Sequence, residues 1–209
     1  GGRIWLSTGQ SIHVYDAGRD TVVSRKPLPR RRWKTWLNET WDDRLVLSEW
    51  DGSLKAFSVE DETPGTEIVL EARSDSLPFH RLALGPGGEL FAATWKGEVT
   101  RFDVHGNGLT ATRVAVTPGL AVELLPLSAT AVAVVTQDNT IRCFEEGTEV
   151  WRWGARAEIR SVCPCSAGVD ASLVVLVGPD RLVQIQGGDE REELCLPNRV
   201  RILARRERG

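Results

Sequence analysis

Trp95-Lys-Gly-Glu-Val-Thr-Arg-Phe102 is one of five phrases that settle how this chain is built. Its counterparts are Thr8-Gly-Gln-Ser-Ile-His-Val-Tyr15, Trp50-Asp-Gly-Ser-Leu-Lys-Ala-Phe57, Gln137-Asp-Asn-Thr-Ile-Arg-Cys-Phe144 and the weaker Gly178-Pro-Asp-Arg-Leu-Val-Gln-Ile185. The closing residues Tyr15, Phe57, Phe102, Phe144 and Ile185 lie 42, 45, 42 and 41 positions apart. Self-similarity at a fixed period of this size marks a repeat architecture, in which each repeat is one supersecondary unit stacked on the next.

Each phrase reads as a hairpin. Gly-Gln, Asp-Gly, Lys-Gly and Asp-Asn supply the positive backbone dihedrals that tight turns require. After the turn, apolar residues alternate: Ile12 and Val14, Leu54 and Ala56, Ile141 and Cys143, with Arg101 after Val99 as an exception. Before the turn lie short apolar runs with strand chemistry, at Arg3–Leu6, Arg44–Leu47, Glu89–Ala92, Ala131–Val135 and Ser172–Val177. Upstream of these, a further strand is predicted at Trp33–Leu37, Phe79–Leu84, Ala121–Leu127 and Glu158–Cys163. A more polar fourth strand follows at Thr21–Ser24, Glu67–Glu71, Thr110–Val116, Glu149–Trp153 and Glu192–Leu196. Four strands in each unit, with no long helical periodicity, is the pattern of a propeller blade.

The expected fold is therefore all-β: a β-propeller of five four-stranded blades forming one domain over residues 3–203. The units are 3–28, 31–72, 78–117, 119–156 and 157–197. The first unit lacks an innermost strand, and 199–203 has the register of one. The N-terminal strands and the C-terminal strand are thus expected to share a blade, with 204–209 as a charged tail. Such closure removes sheet edges that would otherwise invite aggregation. The alternative is a five-blade slice of a larger propeller. A β-sandwich would leave the fivefold period unexplained.

The phrase x-D-G-x-[LIV]-x-x-[FY], ending Tyr15-Asp16 or Phe102-Asp103, resembles a degenerate WD repeat with Tyr or Phe where that family has Trp. It is also similar to the quinoprotein-type repeat, whose hairpins read Asp-Gly-x-Leu-x-Ala. The resemblance covers residues 3 to 203 and implies a propeller. The Gly-His pair that opens WD blades is missing, and with it the expectation of that family's buried hydrogen-bond tetrad. Quinoprotein dehydrogenases hold their cofactor in larger rings, so no cofactor is carried over.

Composition agrees with a globular reading. Of the 209 residues 41% are hydrophobic and 26% charged, enough to bury a core. No apolar run reaches the roughly 18 residues of a membrane span, and no signal-peptide pattern opens the chain. The chain has no methionine, which leads to the expectation of a processed product or a piece of a longer polypeptide. A net charge of −3 argues against a dedicated nucleic-acid binder, since phosphate neutralisation needs a concentrated positive field. Four cysteines are too few for a disulfide scaffold, so a reducing, cytoplasmic setting is expected.

No catalytic constellation is visible in the sequence. Cys163-Pro164-Cys165 is a C-x-C pair with no nearby histidine, unlike the paired C-x-x-C spacing of zinc sites, so packing cysteines and no metal are expected. His13, His80 and His105 fall at non-equivalent places in the repeats, and Gly85-Pro-Gly-Gly88 reads as a turn rather than a phosphate loop. Asp42-Asp43 and Glu145-Glu146 are neighbours, and adjacent strand residues point to opposite faces, which makes poor acid/base pairs. A hydrolase would have to use the inner-strand acids Glu123 and Glu158. Asn38-Glu39-Thr40 matches a glycosylation acceptor, a pattern too short to carry weight.

The arrangement of tryptophan and arginine is more informative. In a propeller, second-to-third-strand turns and fourth-to-first-strand connections share one face. That face would gather Trp50, Asp51, Trp95, Lys96, Gln137 and Asp138 from turns with Arg30, Arg31, Arg32, Arg73 and Arg156 from connections. Tryptophan and arginine dominate binding hot spots because each joins a large contact area to a directional polar group. The competing reading has Trp50 and Trp95 covering seams between blades. Trp151 and Trp153 alternate on a fourth strand and are expected to pack on a neighbouring blade or a partner domain. The expected function is a non-catalytic interaction module of a larger polypeptide, binding another protein or another domain, with neither membrane nor nucleic acid as partner. A lectin-like binder is the alternative, and it would want an equivalent aromatic residue in all five turns, whereas only two carry tryptophan.

Overall fold

The computed structural model describes residues 3–8, 11–27, 38–41, 44–48, 54–58, 67–70, 79–105 and 108–195. Every regular element among them is a β-strand. The first sheet has three strands, β1 (Arg3–Thr8), β2 (Ser11–Asp16) and β3 (Thr21–Pro27). Four four-stranded sheets follow. They comprise β4 (Asn38–Trp41) to β7 (Glu67–Leu70) through β5 (Arg44–Ser48) and β6 (Leu54–Ser58), then β8 (Phe79–Leu84), β9 (Leu90–Thr94), β10 (Glu98–His105) and β11 (Gly108–Val116). The last two are β12 (Ala121–Pro126), β13 (Ala131–Thr136), β14 (Thr140–Glu145) and β15 (Thr148–Gly154), and β16 (Ile159–Pro164), β17 (Ser172–Val177), β18 (Arg181–Gln186) and β19 (Asp189–Cys195). Within each sheet the strands lie in chain order, the antiparallel meander that short hairpin turns impose.

One predicted strand is displaced. The strand that pairs with β5 is Asn38–Trp41, with Asn38 opposite Leu47, whereas the sequence had placed it at Trp33–Leu37, which lies outside the described residues. The apolar Trp33 to Leu37 run attracted the assignment, while the β5 register selects the more polar segment after it. The proposed closing strand 199–203 also lies outside the described residues.

The chain divides into two compact units, 1–80 and 81–209, with the boundary falling inside β8. In the first unit, β1–β3 show the repeat's local geometry: a register shift between Val14 and Tyr15 sits just before the closing aromatic. The shift recurs in the second unit between Cys143 and Phe144 and between Gln184 and Ile185, while β10 carries its own earlier, between Val99 and Thr100. Inner strands repeat a second irregularity, between Ala121 and Glu123 and between Ile159 and Ser161. Each bulge adds twist and re-aims the residues beyond it.

The core of the second unit explains why its sheets stack. Every residue of β13 is buried, yet its side chains go to two places by pleat alternation. Ala131, Ala133 and Val135 pack with Leu173, Val175 and Val183 of the β16–β19 sheet. Val132 and Val134 pack with Phe91, Ala93 and Val114 of the β8–β11 sheet. The β12–β15 sheet is therefore covered on both faces, which is why its second strand reads as an unbroken apolar run. Each fully buried valine or leucine contributes about 1.5–3 kcal/mol.

Candidate partner-binding surface

The geometry of the turns decides where the candidate residues lie. Gly97 N–H donates to Thr94 O at 3.0 Å, closing the β9–β10 turn, and Asn139 N–H donates to Thr136 O at 3.0 Å, closing the β13–β14 turn. Gly97 has φ 82° and Asn139 φ 60°, in the left-handed region that these residue types tolerate best. The carbonyls of the same two residues accept from the chain leaving the fourth strand, Thr117 N–H to Gly97 and Ala155 N–H to Asn139, each at 2.9 Å. The first turn residue reaches the chain entering the inner strand of its own sheet: Gln137 N–H donates to Leu120 O at 3.0 Å and Gly178 N–H to Glu158 O at 2.7 Å. In the second unit, turns and connections are thus tied together along one end of the sheets.

Trp95 and Lys96 occupy the two central positions of the β9–β10 turn, where side chains point away from the strands. Both are exposed, Trp95 at 41%. A Cβ on Gly97 would come within 2.5 Å of Gly119 O and 2.7 Å of Thr117 O, so glycine is needed for close approach as well as for φ. Arg156 is exposed on the β15–β16 connection, where Ile159 N–H donates to Asn139 Oδ1 at 3.1 Å and ties the connection to the neighbouring turn. Gln137 and Asp138 are exposed at the same end. The Thr136 hydroxyl donates to Asp138 Oδ1 at 2.5 Å and holds that carboxyl below its usual range, so it stays ionised. The structure therefore places Trp95, Lys96 and Arg156 on one end of the second unit. Trp50, Asp51, Arg30, Arg31, Arg32 and Arg73 lie outside the described residues. Among the described turns of this kind only the β9–β10 turn carries an aromatic residue; Gln137 and Gly178 hold the equivalent places.

The residues a hydrolase would use are differently disposed. Gly85 N–H to Glu89 O, Leu127 N–H to Ala131 O and Cys165 N–H to Ser172 O recur at the ends of β8, β12 and β16. They set Arg81, Glu123 and Ser161 at one level of three consecutive inner strands. Glu123 is half-buried, and burial pushes its carboxyl up against the opposing pull of the Arg81 guanidinium. It is the single acid of that level, where glycoside hydrolysis needs a pair. Glu158 does not belong to the inner strand as expected: it precedes β16, is exposed and lies 3.6 Å from Arg160. Cys143 is buried, and burial first, then Glu145 and Asp170, pushes its thiol up to about 12, the opposite of what a nucleophile needs. No group of three or more His, Cys, Asp or Glu side chains among the described residues is placed to hold a metal.

Arg101, the exception in the alternation, is accounted for: its Nε donates to Asp103 at 2.8 Å and its Nη1 to Ala129 O at 2.6 Å. Trp151 and Trp153 pack on the neighbouring sheet as expected, Trp151 Nε1 donating to Val169 O at 2.8 Å and Trp153 Nε1 to Glu190 at 3.0 Å. Sequence reasoning passed over Arg181, Glu190 and Glu193. Arg181 donates twice to Glu193, each at 2.7 Å, across the β18–β19 hairpin. The two are diagonal partners, since Val183 is the residue opposite Glu193, a relation that becomes readable once the bulge at Gln184 and Ile185 is known.

Meander sheets of four strands, stacked face to face in the second unit, define the class as a β-propeller fold. Two crystal structures of BBS1N in complex with ARL6DN, one soaked with mercury and one with lead, match over 97% of this chain at TM-scores of 0.69 and 0.71. Sequence identity is 14% and 15%, which carries the fold and nothing finer. The chain spans about two thirds of their length, 66% and 67%. In all, 1003 solved chains resemble this one, so the architecture is widely used and does not specify a function. No protein-family model matches the sequence, and no curated protein matches it. The WD-repeat and quinoprotein resemblances thus rest on the repeated phrase alone.

Proposed function

We propose that the chain is a non-catalytic interaction module, a single five-bladed propeller domain of residues 3–203 within a longer polypeptide. On this reading it binds another protein, or another domain, through the end of the sheets that carries Trp95, Lys96 and Arg156, joined by Trp50, Arg30, Arg31, Arg32 and Arg73. The observation that carries the reading is Trp95, 41% exposed on a turn that the Gly97 N–H to Thr94 O and Thr117 N–H to Gly97 O bonds fasten. A large aromatic side chain presented on a rigid turn loses little entropy when it is buried by a partner. The fold-level relative BBS1N is seen in complex with ARL6DN, which supports a protein partner for this fold. A reducing, cytoplasmic setting belongs to the proposal and rests on the four cysteines of the sequence being too few for a disulfide scaffold.

A photo-crosslinking residue at position 95 would capture the partner, and the affinity of the captured partner for Trp95→Ala then tests the face. A hot-spot tryptophan is expected to lose at least about tenfold in affinity, roughly 1.4 kcal/mol or more. Unchanged binding by a correctly folded Trp95→Ala protein removes this face from the interaction.

A further inference from the structure

A cleft of about 180 Å³ opens at the seam between the β12–β15 and β16–β19 sheets. Trp153, 8% exposed, and the buried Val177 and Val183 line its interior, and four charged side chains, Arg156, Arg181, Glu190 and Glu193, line the more exposed part. Two of those charges are committed to each other through the doubly bonded Arg181–Glu193 pair, which holds the Glu193 carboxyl below its usual range.

The remaining two differ in how firmly they are held. Glu190 is fixed by the Trp153 indole, which donates to Oε1 at 3.0 Å and leaves Oε2 for a ligand. Arg156 is exposed on an irregular connection; no hydrogen bond holds its guanidinium among the described residues, and its charge acts on Glu193 through space. Outside the Arg181–Glu193 pair, the charge that a hydrogen bond holds in place is therefore the negative Glu190. The strand that supplies it adds to the same field, since β19 carries Asp189, Glu190, Glu192 and Glu193 against Arg191 alone.

We propose that this cleft takes a lysine or arginine side chain of a partner protein. The cationic head meets Glu190 Oε2 beside the Trp153 ring, where the aromatic quadrupole adds to the attraction. An acidic side chain would enter beside Glu190 and Glu193, where like charge opposes it, and would have Arg156 as its cationic partner. The cleft shares Arg156 with the face proposed above but not Trp95 or Lys96, so Trp95→Ala tests that face without touching the cleft.

The test is a titration of the full chain with two blocked peptides, acetyl-Gly-Arg-Gly-amide and acetyl-Gly-Glu-Gly-amide. The readout is the indole N–H resonance of Trp153, identified by its loss in Trp153→Phe. The arginine peptide is expected to shift that resonance saturably, and the glutamate peptide to leave it in place. Glu190→Gln keeps an acceptor for the indole but removes the charge, and is expected to weaken the arginine peptide about fivefold. Trp95→Ala is expected to leave it unchanged. An arginine peptide that does not move the Trp153 resonance overturns the proposal. So does a glutamate peptide that moves it more strongly and loses its effect in Arg156→Gln.

Discussion

Gly97 and Glu123 show how single residues in this protein answer to their surroundings. Gly97 combines φ 82° with carbonyls of Thr117 and Gly119 too near to admit a Cβ. Gly97→Ala is therefore expected to lower stability by about 1–3 kcal/mol, through backbone strain and displacement of the β11–β12 connection. The urea midpoint measures it, and a shift smaller than this range would mean the connection yields easily. Glu123 has its carboxyl raised from 4.5 by burial, with Arg81 opposing. A raised folded-state value means that the proton-bound form favours folding: the contribution is full below the ordinary value and is lost as pH rises through the raised one. Glu123→Gln is expected to match the parent protein at about pH 4 and to melt at a higher temperature at about pH 7. Equal melting temperatures at the higher pH would show that Arg81 already compensates the burial.

At the scale of elements, the seam between the last two sheets is held by donors that leave one sheet for the next. Trp151 on β15 donates to Val169 O in the β16–β17 connection, and its ring packs with the shared apolar cluster. Trp151→Phe keeps most of that ring and removes the donor, so the expected loss is about 0.5–1.5 kcal/mol. Calorimetry on the folded variant decides it, with no loss expected if water replaces the donor. The turns were legible in the sequence because Lys96-Gly97 and Asp138-Asn139 announce positive φ locally. Strand identity was legible for β8 to β19 within a few residues, since apolar runs and turn residues alternate there. The inner strand of the second repeat, β4, was not, because the apolar Trp33–Leu37 run outweighed the polar Asn38–Trp41 segment that pairs with β5. Bulges were invisible too: one extra residue changes register without changing composition, yet it decides that Arg181 meets Glu193.

For the whole molecule, the first sheet differs from those that follow it. Among the described residues the β1–β2–β3 sheet has three strands where the others have four, and we propose that the segment 199–203 supplies a fourth. If it supplies that strand, truncation after Asn198 is expected to lower the melting temperature and to expose β1 backbone amides to hydrogen exchange. Protection of Arg3–Thr8 that survives the truncation would assign the strand elsewhere and favour a larger ring. The sequence by itself determined the five-fold repeat, the strand-rich class and the turn that presents Trp95. These depend on a fixed period and on dihedral needs confined to two or three adjacent residues. Only the tertiary structure decided which side chains meet across sheets: the split of β13 between two cores, and Trp153 beside Glu190, 37 positions away. The physical reason is that such meetings depend on how neighbouring sheets stack and on where bulges turn a strand, and no local pattern of residues encodes either.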